Sequence, residues 1–200
     1  MREARAADLG ALIAAVRGSL TPCPPLPAGR GGAWKLYLVG GTSHLAERWR
    51  ERVPRLEFAG SPGGVAALAE AVREAGAALE LAVVWESPAD VIPLPAGSAE
   101  RARWVPPEVS GAGDRLEVLH FDPYSVVLRL LARGDEPDYV AALEYLRRGW
   151  VEPARLEELV AEVLPRFTSE TLAQDPAEFR RKLKGLRQLH AREGEHRRPA

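Results

Sequence analysis

The sequence predicts an α+β fold: a mixed sheet of about four strands flanked by helices, leading into a helical C-terminal half. Short apolar runs of strand character alternate with helical repeats up to residue 121. From Pro123 onward the apolar spacing is helical throughout, and Pro- and Gly-rich stretches interrupt the first part only. The expected organisation is an α/β core over residues 1–121, a helical region over 122–192 and a frayed, charged tail over 193–200.

Leu9, Leu12, Ile13 and Val16 recur at i, i+3, i+4 and i+7, so the chain opens with an amphipathic helix. Thr21–Gly32 is rich in Pro and Gly and reads as a loop. Lys35–Val39 is a short strand that stops at Gly40-Gly41, after which Thr42 or Ser43 caps a helix to about Arg52. Arg55–Ala59 alternates as a strand does, and Ser61-Pro62 starts a helix carrying Val65, Leu68, Ala69 and Val72. Leu79–Trp85 is almost continuously apolar, which predicts a central strand. Ser87–Gly113, with five prolines and three glycines, reads as a long loop, and Leu116–Phe121 as the last strand.

Four helices are expected after that strand. Tyr124–Ala132 ends at Arg133-Gly134. Asp135 caps the second, with Val140, Leu143 and Leu146 inside and Gly149 as its stop. Pro153 opens the third, carrying Leu156, Leu159, Val160 and Val163. Asp175-Pro176-Ala177-Glu178 reads as a capping box ahead of Phe179, Leu183 and Leu186.

Composition narrows the function classes. The chain has 27 basic and 28 acidic residues, a formal net charge of −1, so no bulk field favours nucleic acid or a membrane surface. Trp34, Trp49, Trp85, Trp104 and Trp150 are scattered and form no stacking ladder for single-stranded nucleic acid. The one cysteine, Cys23, excludes an internal disulfide and a cysteine metal cluster and fits a reducing compartment. Without a signal-like N-terminus or a spanning apolar run, the expected location is the cytoplasm. Only Lys35, Lys182 and Lys184 are lysines, a bias toward arginine that a GC-rich genome or a heat-adapted host produces.

The segment Leu36–Ser43, LYLVGGTS, carries the candidate chemistry. Paired glycines allow close backbone approach to a ligand, and the turn amides at a helix start can hold a phosphate, with the Thr42 and Ser43 hydroxyls adding hydrogen bonds. The same residues serve equally as a tight strand-to-helix turn with Ser43 as its cap. His44 sits in the first turn of that helix, and His120 shares an alternating face with Leu116 and Val118. No histidine pair has metal-ligand spacing, and neither a Gly-x-Ser-x-Gly elbow nor a Gly-Lys-Ser/Thr phosphate loop occurs. Arg129 and Arg133 share a helix face four residues apart, suited either to nucleotide phosphates or to a structural network with Asp135 or Asp138.

The strand–Gly-Gly–helix–strand order resembles the minimal type of the nucleotidyltransferase superfamily, and within it the bacterial nucleotidyltransferase-like proteins near the abortive-infection toxin family. Further segments fit in order: Val91-Ile92-Pro93-Leu94-Pro95, Phe121-Asp122-Pro123-Tyr124, Arg133-Gly134-Asp135-Glu136-Pro137-Asp138 and Leu146-Arg147-Arg148-Gly149. The resemblance spans roughly Leu36–Phe167. It implies a nucleotidyltransferase-like sheet, with Gly40, Gly41, Thr42, Ser43, Arg129 and Arg133 as nucleotide contacts. It also implies two carboxylates two residues apart on the second strand, holding divalent metal, and a third on a later strand.

Here the second strand reads Arg55-Leu56-Glu57-Phe58, so Arg55 stands at the first carboxylate position and Glu57 alone keeps an acid. Two unit charges about 4 Å apart interact by roughly 4 kcal/mol at an effective dielectric of about 20, and a divalent ion feels about twice that. No metal site is therefore expected. Glu80, Glu86 and Asp90 offer no spacing that makes them ligands. The expectation is an impaired nucleotidyltransferase-like protein without cofactor, a binding or regulatory module beside a protein partner in a toxin–antitoxin or defence setting. An active transferase would use magnesium, with Glu57 as catalytic carboxylate, to move a nucleotide onto a protein or tRNA. A structural or oligomerisation protein without ligand is the third reading.

Overall fold

The computed structural model describes residues 2–20, 34–60, 65–87, 92–111, 116–167 and 175–196. Among them the chain folds as α+β, with a mixed five-stranded sheet. It divides into two compact units, Met1–Ser87 with Ala102–Phe121, and Pro88–Arg101 with Asp122–Ala200. The predicted loops at Thr21–Gly32 and around Ser61-Pro62 lie outside the described residues.

The first unit begins with α1, Ala6–Ser19, whose Leu9, Leu12, Ile13 and Val16 are all buried, as their spacing requires. The strands are β1 (Trp34–Leu38), β2 (Leu56–Gly60), β3 (Val83–Trp85), β4 (Arg103–Trp104) and β5 (Leu116–His120). Their order is β3-β2-β1-β5-β4. β1 runs antiparallel to β2 with Leu38 opposite Phe58, and parallel to β5 with Leu38 opposite His120. The helices are α2 (Gly41–Ala46), α3 (Val65–Ala78) and the four-residue α4 (Pro107–Ser110). Leu36, Leu38, Leu56 and Phe58 face α1 and α3 in one hydrophobic core, together with Leu68 and Val72.

Three expectations for this unit are corrected. The apolar run Leu79–Trp85 does not form a central strand. Glu80 takes a positive φ of 56°, so the strand starts only at Val83 and lies at the sheet edge. Its apolar side chains cover close helix and strand approaches instead: a Cβ on Gly76 would sit 2.6 Å from Val83, and one on Gly60 would sit 2.7 Å from Trp85. The helix expected to reach Arg52 stops at Ala46, because Arg48 adopts a φ of 58° and the Trp49 amide turns back to the His44 carbonyl at 2.8 Å. The Ser87–Gly113 stretch, expected as a long loop with little regular structure, holds little of it among its described residues, but the expected count of about four strands is exceeded. The stretch carries β4, which makes the strand count five rather than four, and α4.

In the second unit α5 (Pro123–Arg133), α6 (Glu136–Arg147), α7 (Pro153–Val163), a 3-10 turn at Leu164–Arg166 and α8 (Pro176–His196) follow one another. Gly134 closes α5 with φ 76° and ψ 22°, a left-handed position that suits glycine. Val140, expected inside, is 46% exposed. The buried stripe of α6 runs instead through Asp138, Ala141, Ala142 and Tyr145, and Val140 lies off it. The Asp175 carboxylate accepts from the Ala177 amide at 2.8 Å. Glu178 does not complete the expected capping box by reaching back: it lies 3.1 Å from the Lys182 Nζ. α8 continues to His196, past the expected fraying point at Arg192.

Candidate functional site

β1 ends at Leu38, and two residues on, Gly40 turns the chain with φ 52° and ψ −123°, a conformation closed to side chains. The antiparallel register brings Glu57 of β2 beside this turn, where the Val39 amide donates to the Glu57 carbonyl at 3.1 Å. Leu56 and Phe58 point into the core, so the alternation of the strand sends Glu57 to the opposite face. Its carboxylate is nevertheless buried, with the residue only 8% exposed.

That carboxylate is engaged from two sides. Oε2 accepts from the Gly41 amide at 3.3 Å, and Oε1 accepts from Arg55 Nε at 2.9 Å. A Cβ on Gly40 would lie 2.4 Å from Oε2, so the missing side chain makes the room that the carboxylate uses. Both hydroxyls of the turn face inward. Thr42 Oγ1 accepts from the Glu57 amide at 2.6 Å, and Ser43 Oγ donates to the Leu38 carbonyl at 3.1 Å. Both residues are buried, and the helix N-cap is Gly40 with no side-chain cap, so Ser43 is not the cap. The hydroxyls tie the turn to both strands.

Magnesium does not fit this corner. It asks for several hard oxygen ligands in near-octahedral array. Arg55 puts a guanidinium on the single carboxylate, and the β3 residue in register with Glu57 is Val84, which brings no oxygen. Glu80 sits in the turn before β3, and the Glu86 amide donates to the Phe58 carbonyl just past it. Asp90 lies outside the described residues. No three His, Cys, Asp or Glu side chains gather as a metal set among the described residues.

A second polar cluster lies in the same unit. His44 and His120 are both fully buried, and the His44 ring lies 5.1 Å from the Trp49 ring. His120 Nε2 is 2.9 Å from Glu47 Oε1. Burial, with added repulsion from Arg103 and His44, pushes the His120 pKa down to about 3. Burial also raises the Glu47 carboxyl, against the pull of Arg103. His120 is therefore neutral at pH 7, and its contact with Glu47 is a hydrogen bond.

The sign of the pH dependence follows. Between the ordinary histidine value of 6.5 and about 3, the unfolded chain binds a proton at His120 that the native chain refuses. Stability then falls as pH is lowered through this window, with a limiting slope of about 1.4 kcal/mol per pH unit. Glu47 acts in the opposite sense, since its raised carboxyl takes up a proton first in the native state. We expect His120→Gln to flatten the dependence of the urea midpoint on pH below about 6.5. Parallel midpoint curves for parent and variant would contradict this assignment.

Arg129 and Arg133 lie on α5, in the second unit. Arg129 is buried at 6% exposure. Arg133 holds Asp138 through Nε at 3.2 Å and a terminal nitrogen at 2.7 Å, which for Arg133 is the structural pairing that the spacing allowed. The same unit holds a site that the sequence reading passed over. Asp122 is fully buried and accepts from Arg101 at 3.0 and 2.7 Å, from Ser125 Oγ at 2.7 Å and from the amides of Tyr124 and Ser125. The signal was present, since Asp followed by Pro at a helix start is an N-cap pattern. Nothing local pointed to Arg101. The guanidinium of Arg101 also donates to the Ala96 carbonyl at 2.6 Å and lies 5.9 Å from the centre of the Tyr124 ring.

Comparison with protein-family models, with curated proteins and with solved structures finds no match. No helix among the described residues is long and apolar enough to cross a membrane.

Proposed function

We propose that this chain is a nucleotidyltransferase-like module that performs no metal-dependent nucleotide transfer and serves as a binding or regulatory protein, with another protein as its partner. One observation carries the reading. The Glu57 carboxylate, placed where a metal ligand belongs in the resembled family, is held by Arg55 and by the Gly41 amide. It fills the donor turn from inside. An incoming phosphate would meet this carboxylate, and an incoming divalent ion would meet the Arg55 guanidinium. The hydroxyls of Thr42 and Ser43 are committed to the backbone of β2 and β1. The corner thus works as an internally neutralised joint between two strands.

Calorimetry with ATP, GTP, CTP and UTP, each with and without magnesium, tests the proposal. The expected result is no metal-dependent binding tighter than about 1 mM, equivalent to roughly −4 kcal/mol. Tight, magnesium-dependent binding of any of them would overturn it. So would transfer of labelled nucleotide onto protein or tRNA that stops in Glu57→Ala.

A further inference from the structure

We propose that the exposed face of α8 is a sequence-independent docking surface for the phosphate backbone of double-stranded DNA. Phe179, Leu183 and Leu186 of this helix are buried, and α5 and α6 pack against it. From Arg180 to Arg192 its outward surface is cationic. At 3.6 residues per turn, Arg187, Arg180, Lys184, Arg181 and Arg192 fall within about 140° of arc. All five are exposed, and only Gln188 and Ala191 stand among them on that arc. They spread over about 18 Å along the helix axis. The surface uses none of the residues of the Gly-Gly corner.

This concentration of charge runs against the chain as a whole. Residues 176–192 hold six basic residues against the single acid Glu178, which leaves 21 against 27 for the rest of the chain. Elsewhere arginines are answered by acids: Arg2 by Asp8, Arg101 by Asp122, Arg133 by Asp138, and Arg147 and Arg148 by Glu144. On the arc of α8, Arg187 meets Glu157, but Arg180, Arg181 and Lys184 make no ion pair among the described residues. The nearly neutral total therefore conceals a local positive field on one helix face.

Charge complementarity selects a polyanion, and the chemistry of the face narrows the choice. A protein partner would need aromatic or apolar anchors, and the arc has none. A helix lying in a membrane surface uses an apolar face, and that of α8 is buried. A nucleic acid single strand is gripped by stacking on aromatic rings, which the arc also lacks. A duplex backbone asks only for cations spaced along its phosphates, and guanidinium forks suit phosphate oxygens. B-DNA also offers a major groove about 12 Å wide that admits a helix, whereas that of duplex RNA is deep and narrow. Gln188 is the only uncharged hydrogen-bonding side chain on the arc, so contacts to the backbone rather than to base edges are expected.

Fluorescence anisotropy on the full chain tests this, with a labelled DNA duplex of about 20 base pairs, two helical turns, as probe. A DNA duplex of unrelated sequence, a DNA single strand, an RNA duplex and phosphatidylserine–phosphatidylcholine vesicles serve as competitors. The probe is expected to bind at low salt with a Kd below about 100 μM, and the two DNA duplexes to compete equally. Log affinity should fall against log salt with a slope of about −2.7 to −4.5, for roughly three to five phosphates. Lys184→Gln should flatten that slope by about 0.9, and its combination with Arg180→Gln and Arg181→Gln should weaken binding about tenfold or more. Arg73→Gln, which removes an exposed cation from α3, should change neither affinity nor slope. All four are exposed helix positions where glutamine is well tolerated, and circular dichroism would confirm that the variants stay folded. No binding of the probe at about 100 μM protein in low salt, stronger competition by the single strand, the RNA or the vesicles, unequal competition by the two DNA duplexes, unchanged affinity in the triple variant, or an equal loss in Arg73→Gln and Lys184→Gln would each overturn the proposal.

Discussion

Asp122→Ala is expected to destabilise the protein more than any other single change to a polar residue, by about 3–5 kcal/mol. The carboxylate side chain is fully buried, and the Arg101 side chain that pairs with it is only 21% exposed. Removing the acid strips the N-cap from α5, takes the acceptor from the Ser125 hydroxyl and leaves a largely buried guanidinium without the carboxylate that pairs with it. Arg101→Ala should cost a similar amount for the converse reason. The double variant should lose clearly less than the sum of the two, because neither charge is then left alone. Asp122→Asn should fall between parent and alanine, since an amide oxygen still accepts from the helix start. Urea midpoints at constant slope would measure the cycle. Simple additivity of the two single losses would show that the pair is not coupled.

Gly40→Ala is the second large effect, expected at about 1–3 kcal/mol from the backbone conformation alone. The new methyl would also meet Glu57 Oε2 at 2.4 Å. That oxygen ends a flexible side chain, so it would swing away rather than block folding, giving up the Gly41 amide and the Arg55 guanidinium. Part of the loss should therefore be recovered when Glu57→Ala is combined with Gly40→Ala, while the backbone part stays. Thermal or urea unfolding of the two singles and the double separates these contributions. A Gly40→Ala chain as stable as the parent would contradict the turn geometry described above.

How far the sequence could be read depends on how local each cause is. α1 was legible because Leu9, Leu12, Ile13 and Val16 bury together by helical spacing alone. α7 was legible for the same reason, through Leu156, Leu159, Val160 and Val163. β4 was not legible: two residues, Arg103 and Trp104, show no periodicity, and they become a strand only by pairing with β5. The misplacement of β3 has a related origin, since apolar character reports burial and Val83 and Trp85 cover glycines without lying in the middle of a sheet. At the Gly-Gly corner the sequence placed Arg55 and Glu57 two residues apart on one face of a strand. It could not disclose that Glu57 turns into the glycine gap, because that contact depends on the register of β1 against β2. Asp122 with Arg101 shows the same limit at greater separation along the chain.

The segment Pro88–Arg101 is assigned with the helices that follow Phe121, while Ala102–Phe121 returns to the sheet. Cutting the gene at residue 122 would accordingly not yield two self-sufficient pieces. The downstream fragment would be born without the guanidinium that answers its own interior anion, and without Leu94 and Ala96, which bond Arg166 and Glu162. During synthesis those upstream residues emerge first and must wait, unpaired, through the whole last strand before their helices leave the ribosome.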